Sequence, residues 1–269
     1  MWRVALGLFV GAGVVAAYRY QHPHGPLPLV WAALAVALGG CAGGILMYGR
    51  RRWAELTAVH PVRVREVAGP VVVIAVGGVL AVNVTRFLPG PAGSWHSGLL
   101  VCLAILAGIP TGLVMFAVRR VACAEPRPGP VGRRVAALLG LRRLLQRLLA
   151  ALGAVVALVT FEFSAYNELQ PSPRPDQYIL IFGGVGSLLV AAAYVPAWTA
   201  LQDSAHRLRG ELFPLDDLAD GPTILSNAAD GQRLEQILGA DRGILADLQN
   251  GMAVAAPLLA GAVAAFLPH

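Results

Sequence analysis

Apolar residues in this chain fall in long unbroken blocks, not in the alternating or every-third-position pattern of a half-buried strand or surface helix. The blocks run over residues 4–18, 27–48, 67–88, 98–118, 144–166, 178–200 and 251–267. A helix needs about 20 predominantly apolar residues to cross a hydrocarbon layer about 30 Å thick. The pattern therefore predicts an all-α, polytopic transmembrane helical bundle with seven spans, forming a single membrane domain. The first block is short: fifteen helical residues rise about 22 Å, so Trp2, Arg3 and Tyr20 would have to anchor its ends. The same stretch also fits a signal peptide, with Arg3 before an apolar core and Val15-Ala16-Ala17 as a cleavage site ending near residue 17. An uncleaved helix is the favoured reading.

Composition supports lipid as the main solvent, with 57% hydrophobic and 13% charged residues and a mean hydropathy of +0.64. All 21 basic residues are arginine. Without lysine, neither a Schiff base nor a phosphate-loop lysine is available. The same bias, with abundant Ala, Gly and Val, points to a high-GC bacterial genome. Eighteen of the 21 arginines fall on one side of the alternating spans, and only Arg19, Arg86 and Arg174 on the other. The positive-inside rule makes the crowded side cytoplasmic. That gives cytoplasmic loops 49–66, 119–143 and 201–250, a cytoplasmic N-terminus and an outside C-terminus in the cell membrane. The net charge of +6 is accounted for by these loops and does not imply nucleic acid. Cys41 and Cys102 lie in spans and Cys123 in a basic loop, which is no disulfide framework.

Two cytoplasmic segments carry their own pattern. From Val131 to Arg147, leucines alternate with Arg133, Arg134, Arg142, Arg143 and Arg147, which predicts a basic amphipathic helix. It either lies on the inner membrane surface or runs straight into the fifth span, with its arginines on anionic headgroups. In the long connection, Gly221-Pro222 reads as a breaker, and Ser226 as the cap of a short helix with Leu234, Ile237 and Leu238 on one face. Asp241 starts a further helix leading into the last span. Within the spans, Gly7/Gly11, Gly39/Gly43, Gly40/Gly44 and Gly108/Gly112 place small residues four apart, which predicts close helix packing inside the chain or a homo-oligomer face.

Three constellations could carry chemistry. Glu162 is the one acidic residue within the seven blocks, near the outer end of the fifth. Intramembrane ionisable groups are functional-site candidates, and Arg86 with Asn83 at the outer end of the third span are its expected partners. A structural pair is the stronger expectation than a transport role. His22, His24, His96 and His269, with Glu168 and Asp176, fall outside and could share a transition metal, though their spacing is not diagnostic. Asp216, Asp217 and Asp220 form a DDxxD pattern of the kind that holds Mg²⁺ on a diphosphate, but no second acidic motif faces it. No HExxH, GxSxG or SxxK is present, Gly183-Gly184-Val185-Gly186 lies inside a span, and Trp95-His96-Ser97-Gly98 reads as a helix start on an exposed turn.

The expectation is a non-enzymatic channel-like or transporter-like bundle, or an accessory subunit of a membrane assembly, with no cofactor. Its expected partners are the bilayer, anionic headgroups on the cytoplasmic face, and a second copy or another membrane protein. The alternative is an embedded enzyme acting on an isoprenoid or lipid phosphate, with Mg²⁺ on Asp216, Asp217 and Asp220 and Arg207 and Arg209 on phosphate.

Overall fold

The computed structural model describes residues 2–21, 28–87, 95–124, 130–170, 177–214 and 221–239, with side chains at 2, 3, 82–87, 177 and 221–223 outside the described set. Among the described residues there are seven helices and no strand: α1 (Trp2–Gln21), α2 (Leu29–Val59), α3 (Val64–Phe87), α4 (Trp95–Cys123), α5 (Val131–Glu168), α6 (Gln177–Leu212) and α7 (Gly221–Leu238). The first six are long and apolar enough to cross a membrane. The helix of 20 residues at α1 is longer than its apolar block and spans about 30 Å, which relieves the shortfall expected of it.

The seventh helix is not the expected seventh span. Residues 251–267 lie outside the described residues, and α7 falls in the polar connection before them. Gly221-Pro222, read as a breaker, opens this helix, because a proline lacking its N–H is tolerated in a first helical turn, where no intrahelical acceptor exists. Ser226 is consequently inside α7 and exposed, not its cap. Leu234 and Leu238 do pack inward, against Ala205, Leu208 and Leu138, but Ile237 points outward at 62% exposure.

The basic segment at 131–147 is continuous with the fifth span in one helix of 38 residues. Pro130 precedes its first turn in an extended conformation, which starts the helix there. In the same way α2, α4 and α6 carry their charged ends past the apolar blocks, so much of loops 49–66, 119–143 and 201–250 is helical extension.

α4 is the central helix, packed against α1, α2, α3, α5 and α6. Leu100, Val114, Met115, Ala117 and Val118 along it are essentially without exposure. At one end α1 lies on α2, with backbones in direct apposition: a Cβ at Gly7 would run into the Gly39 carbonyl, one at Gly39 into the Gly7 carbonyl, and one at Gly11 would stand 2.6 Å from the Ala35 carbonyl oxygen. The glycine spacing thus serves packing inside the chain. Gly44 has open space around it, and Gly108 and Gly112 face the side chains of Leu152 and Val71 rather than a neighbouring backbone. A second close approach sets Gly49 of α2 against Pro110 and Thr111 of α4, where a Cβ would meet the Thr111 nitrogen at 2.8 Å. Of the six apolar helices α1 and α3 are the most thinly covered, and Val72, Val73, Val76 and Leu80 of α3 are exposed.

Candidate functional site

Glu162 sits near the C-terminal end of α5 and has no exposed surface. Two donors hold its carboxyl group: the Trp31 indole Nε1–H donates to Oε1 at 2.8 Å, and the Ser97 hydroxyl donates to Oε2 at 3.1 Å. Trp31 stands on the first turn of α2 and Ser97 on the first turn of α4, so one side chain ties together three helices that are distant in sequence. Inside an apolar bundle each polar group has to find its partner within the protein, which is why these three coincide.

Aromatic rings wall this knot. Tyr166, one turn beyond Glu162 on α5, has its ring centroid 5.6 Å from that of Trp31, and Tyr18 of α1 lies 4.9 Å from Trp31 and 5.7 Å from the His96 ring. His96 is 1% exposed and stacked on Trp95 at 4.0 Å. The helix start read at Trp95 is where α4 begins, but His96 and Ser97 face the interior instead of an exposed turn. The face of α4 that meets α1, α2 and α5 begins at its first residues, which buries them.

Asn83 and Arg86 occupy the last turns of α3, and their side chains lie outside the described residues. α3 packs on α4 and α6, while α5 packs on α2, α4, α6 and α7. Trp31 and Ser97, the partners seen for Glu162, carry no signal in their own segments that points to it.

The other constellations divide. Asp216, Asp217 and Asp220 lie outside the described residues, as do His22, His24, Asp176 and His269. Among the described residues no group of three or more His, Cys, Asp or Glu could hold a metal ion. The three cysteines are free thiols.

The arginines expected on headgroups separate into two sets. Arg134 pairs with Glu211 of α6 at 2.5 Å, and Arg142 donates to the Leu238 carbonyl at the end of α7. There the chain leaves the helix through Gly239 at φ 67°, a left-handed position that suits glycine. A cation at a helix C-terminus complements the unsatisfied carbonyls. Arg209 and His206 hold Glu235 of the same helix, each at 3.2 Å. Arg133, Arg143 and Arg147 are exposed.

Two half-open hollows lie between the helices, one bounded by α3, α4, α5 and α6 and the other by these and the end of α2. The first, of about 370 Å³, lies along the apolar stretches of these helices and is lined only by apolar side chains and glycines, among them Ile74, Ile105, Phe116, Leu152, Phe182 and Leu189. Glu162 is not among its lining residues. The other, a groove of about 840 Å³, opens at the arginine-rich end and is lined by Arg120, Arg133, Arg134 and Arg207 with Glu66 and Glu211. The two share no lining residue, and the buried Leu145, Leu148, Leu149 and Val118 line neither. Compared with known proteins, the chain matches no family model, no curated protein and no solved structure.

Proposed function

We propose that this chain is a non-enzymatic multi-pass protein of the cell membrane, a transporter-like bundle whose cargo or ligand is apolar and lipid-like. The cavity of about 370 Å³ between α3, α4, α5 and α6 carries this reading. Its size is within the range of small-molecule sites, and its lining offers no hydrogen bond to an ion or polar solute. The thin cover of α3 provides a lateral route from the bilayer, because its outer face is exposed valine and leucine. The Glu162 knot belongs to the scaffold in this reading, since both oxygens are engaged and the carboxyl group faces packed rings. An accessory-subunit role draws on the same outer face of α3, which could equally meet a membrane partner.

The test is photolabelling in vesicles with a phospholipid carrying a diazirine in mid-acyl chain. Labels should map to cavity residues such as Ile105 and Leu189, and Gly108→Leu, which fills the cavity, should remove them. Labelling confined to outward residues such as Val73 and Leu188, and unchanged by Gly108→Leu, would refute the reading. The orientation proposed with it, N-terminus cytoplasmic and residues 251–267 crossing outward, is checked by reporter fusions. A C-terminal alkaline phosphatase should be active, and an inactive one would overturn that topology.

A further inference from the structure

We infer that the groove at the arginine-rich end is a binding site for the phosphate of an anionic membrane phospholipid. This goes beyond the apolar cavity and does not rest on it, because the two share no lining residue. Among the described residues, four arginines line the groove against two glutamates, which makes that lining net positive. The pairing inside it is incomplete. Arg134 is held by Glu211 at 2.5 Å, and Arg120 is only loosely matched to Glu66 at 3.6 Å. Arg207 spends one N–H on the Ala122 carbonyl at 3.1 Å, closing the end of α4. Arg133 is exposed and has no ion pair among the described residues. Guanidinium groups present paired donors that match phosphate oxygens.

The apolar lining identifies the anion as an amphiphile's. Val62, Leu138, Leu141 and Leu208 line the same groove as the arginines, a surface suited to the first carbons of a lipid and not to a free ion. Position agrees: the apolar stretch of α4 ends at Val118, and Arg120 and Val121 of the next turn border the groove, the level at which lipid phosphates stand beside a span. The site thus selects Arg133 from the exposed arginines of α5. Arg143 and Arg147 are exposed on the same helix but do not line the groove.

The experiment is a titration of the full chain in neutral detergent with phosphatidic acid, phosphatidylglycerol or phosphatidylcholine, read by native mass spectrometry. Anionic lipid should bind in preference to phosphatidylcholine. Arg133→Gln should weaken it at least about fivefold, as the loss of a charge-assisted hydrogen bond to phosphate would. Arg147→Gln, the same charge change outside the groove, should leave it within about twofold. Equal losses in the two variants would show diffuse surface attraction and overturn the site. So would an undiminished affinity in Arg133→Gln, or no headgroup preference in the unmodified chain. Excess inorganic phosphate should fail to displace the lipid. Full displacement would make this a small-anion site and overturn the assignment to lipid.

Discussion

Replacement of Glu162 tests whether the buried carboxyl group is a structural tie. Glu162→Leu fills a similar volume but strands two buried donors, the Trp31 N–H and the Ser97 O–H. Each stranded donor costs about 1–3 kcal/mol, so the expected loss is about 2–6 kcal/mol. Glu162→Gln keeps an oxygen for Trp31 and offers an N–H to Ser97, whose hydroxyl can turn to accept. Its expected cost is under about 1 kcal/mol. Removing the partners as well, in the triple variant with Trp31→Phe and Ser97→Ala, leaves no unsatisfied group and should recover much of the loss. The assay is the apparent midpoint for loss of the monodisperse peak after heating in detergent. At about 2–4 °C per kcal/mol for a chain of this size, Glu162→Leu should fall by at least about 4 °C. A Glu162→Leu protein as stable as Glu162→Gln would refute the reasoning, because the two hydrogen bonds would then contribute nothing.

Two further outcomes follow from the packing. Gly39→Leu forces a side chain into the Gly7 carbonyl, where only backbone could give way, and should cost at least about 1–3 kcal/mol and expose α1 to protease. Gly44→Ala, on the same helix but in open space, should be neutral or stabilising by up to about 1 kcal/mol, and equal damage from both would count against the α1–α2 crossing. Arg142→Gln removes the cation from the end of α7, and amide exchange across Leu225–Leu238 should quicken about fivefold, the equivalent of about 1 kcal/mol. The melting midpoint of the spans should stay where it is, and unchanged exchange in α7 would show that the contact does not hold it.

The linear order of residues decided the helical class and the six long apolar helices, because block length and hydropathy are local properties and the bilayer sets the length required. It also contained the glycine pairs, although not their partners: Gly7 and Gly39 meet, while Gly44 faces open space, and spacing alone does not distinguish them. The capping role read for Ser226 failed because the helix began a turn earlier, at a proline that can start a helix as readily as stop one. Glu162 was legible as a site, since a lone acid in an apolar block stands out. Its described partners were not, because Trp31 and Ser97 are unremarkable in their own segments and become donors to one carboxyl group only when α2, α4 and α5 converge. The arginines show the same division. Their number on one side is a property of sequence, but the commitment of Arg134 and Arg142 to α6 and α7, and the place of Arg133 in a groove with apolar side chains, exist only once the helix ends are brought together.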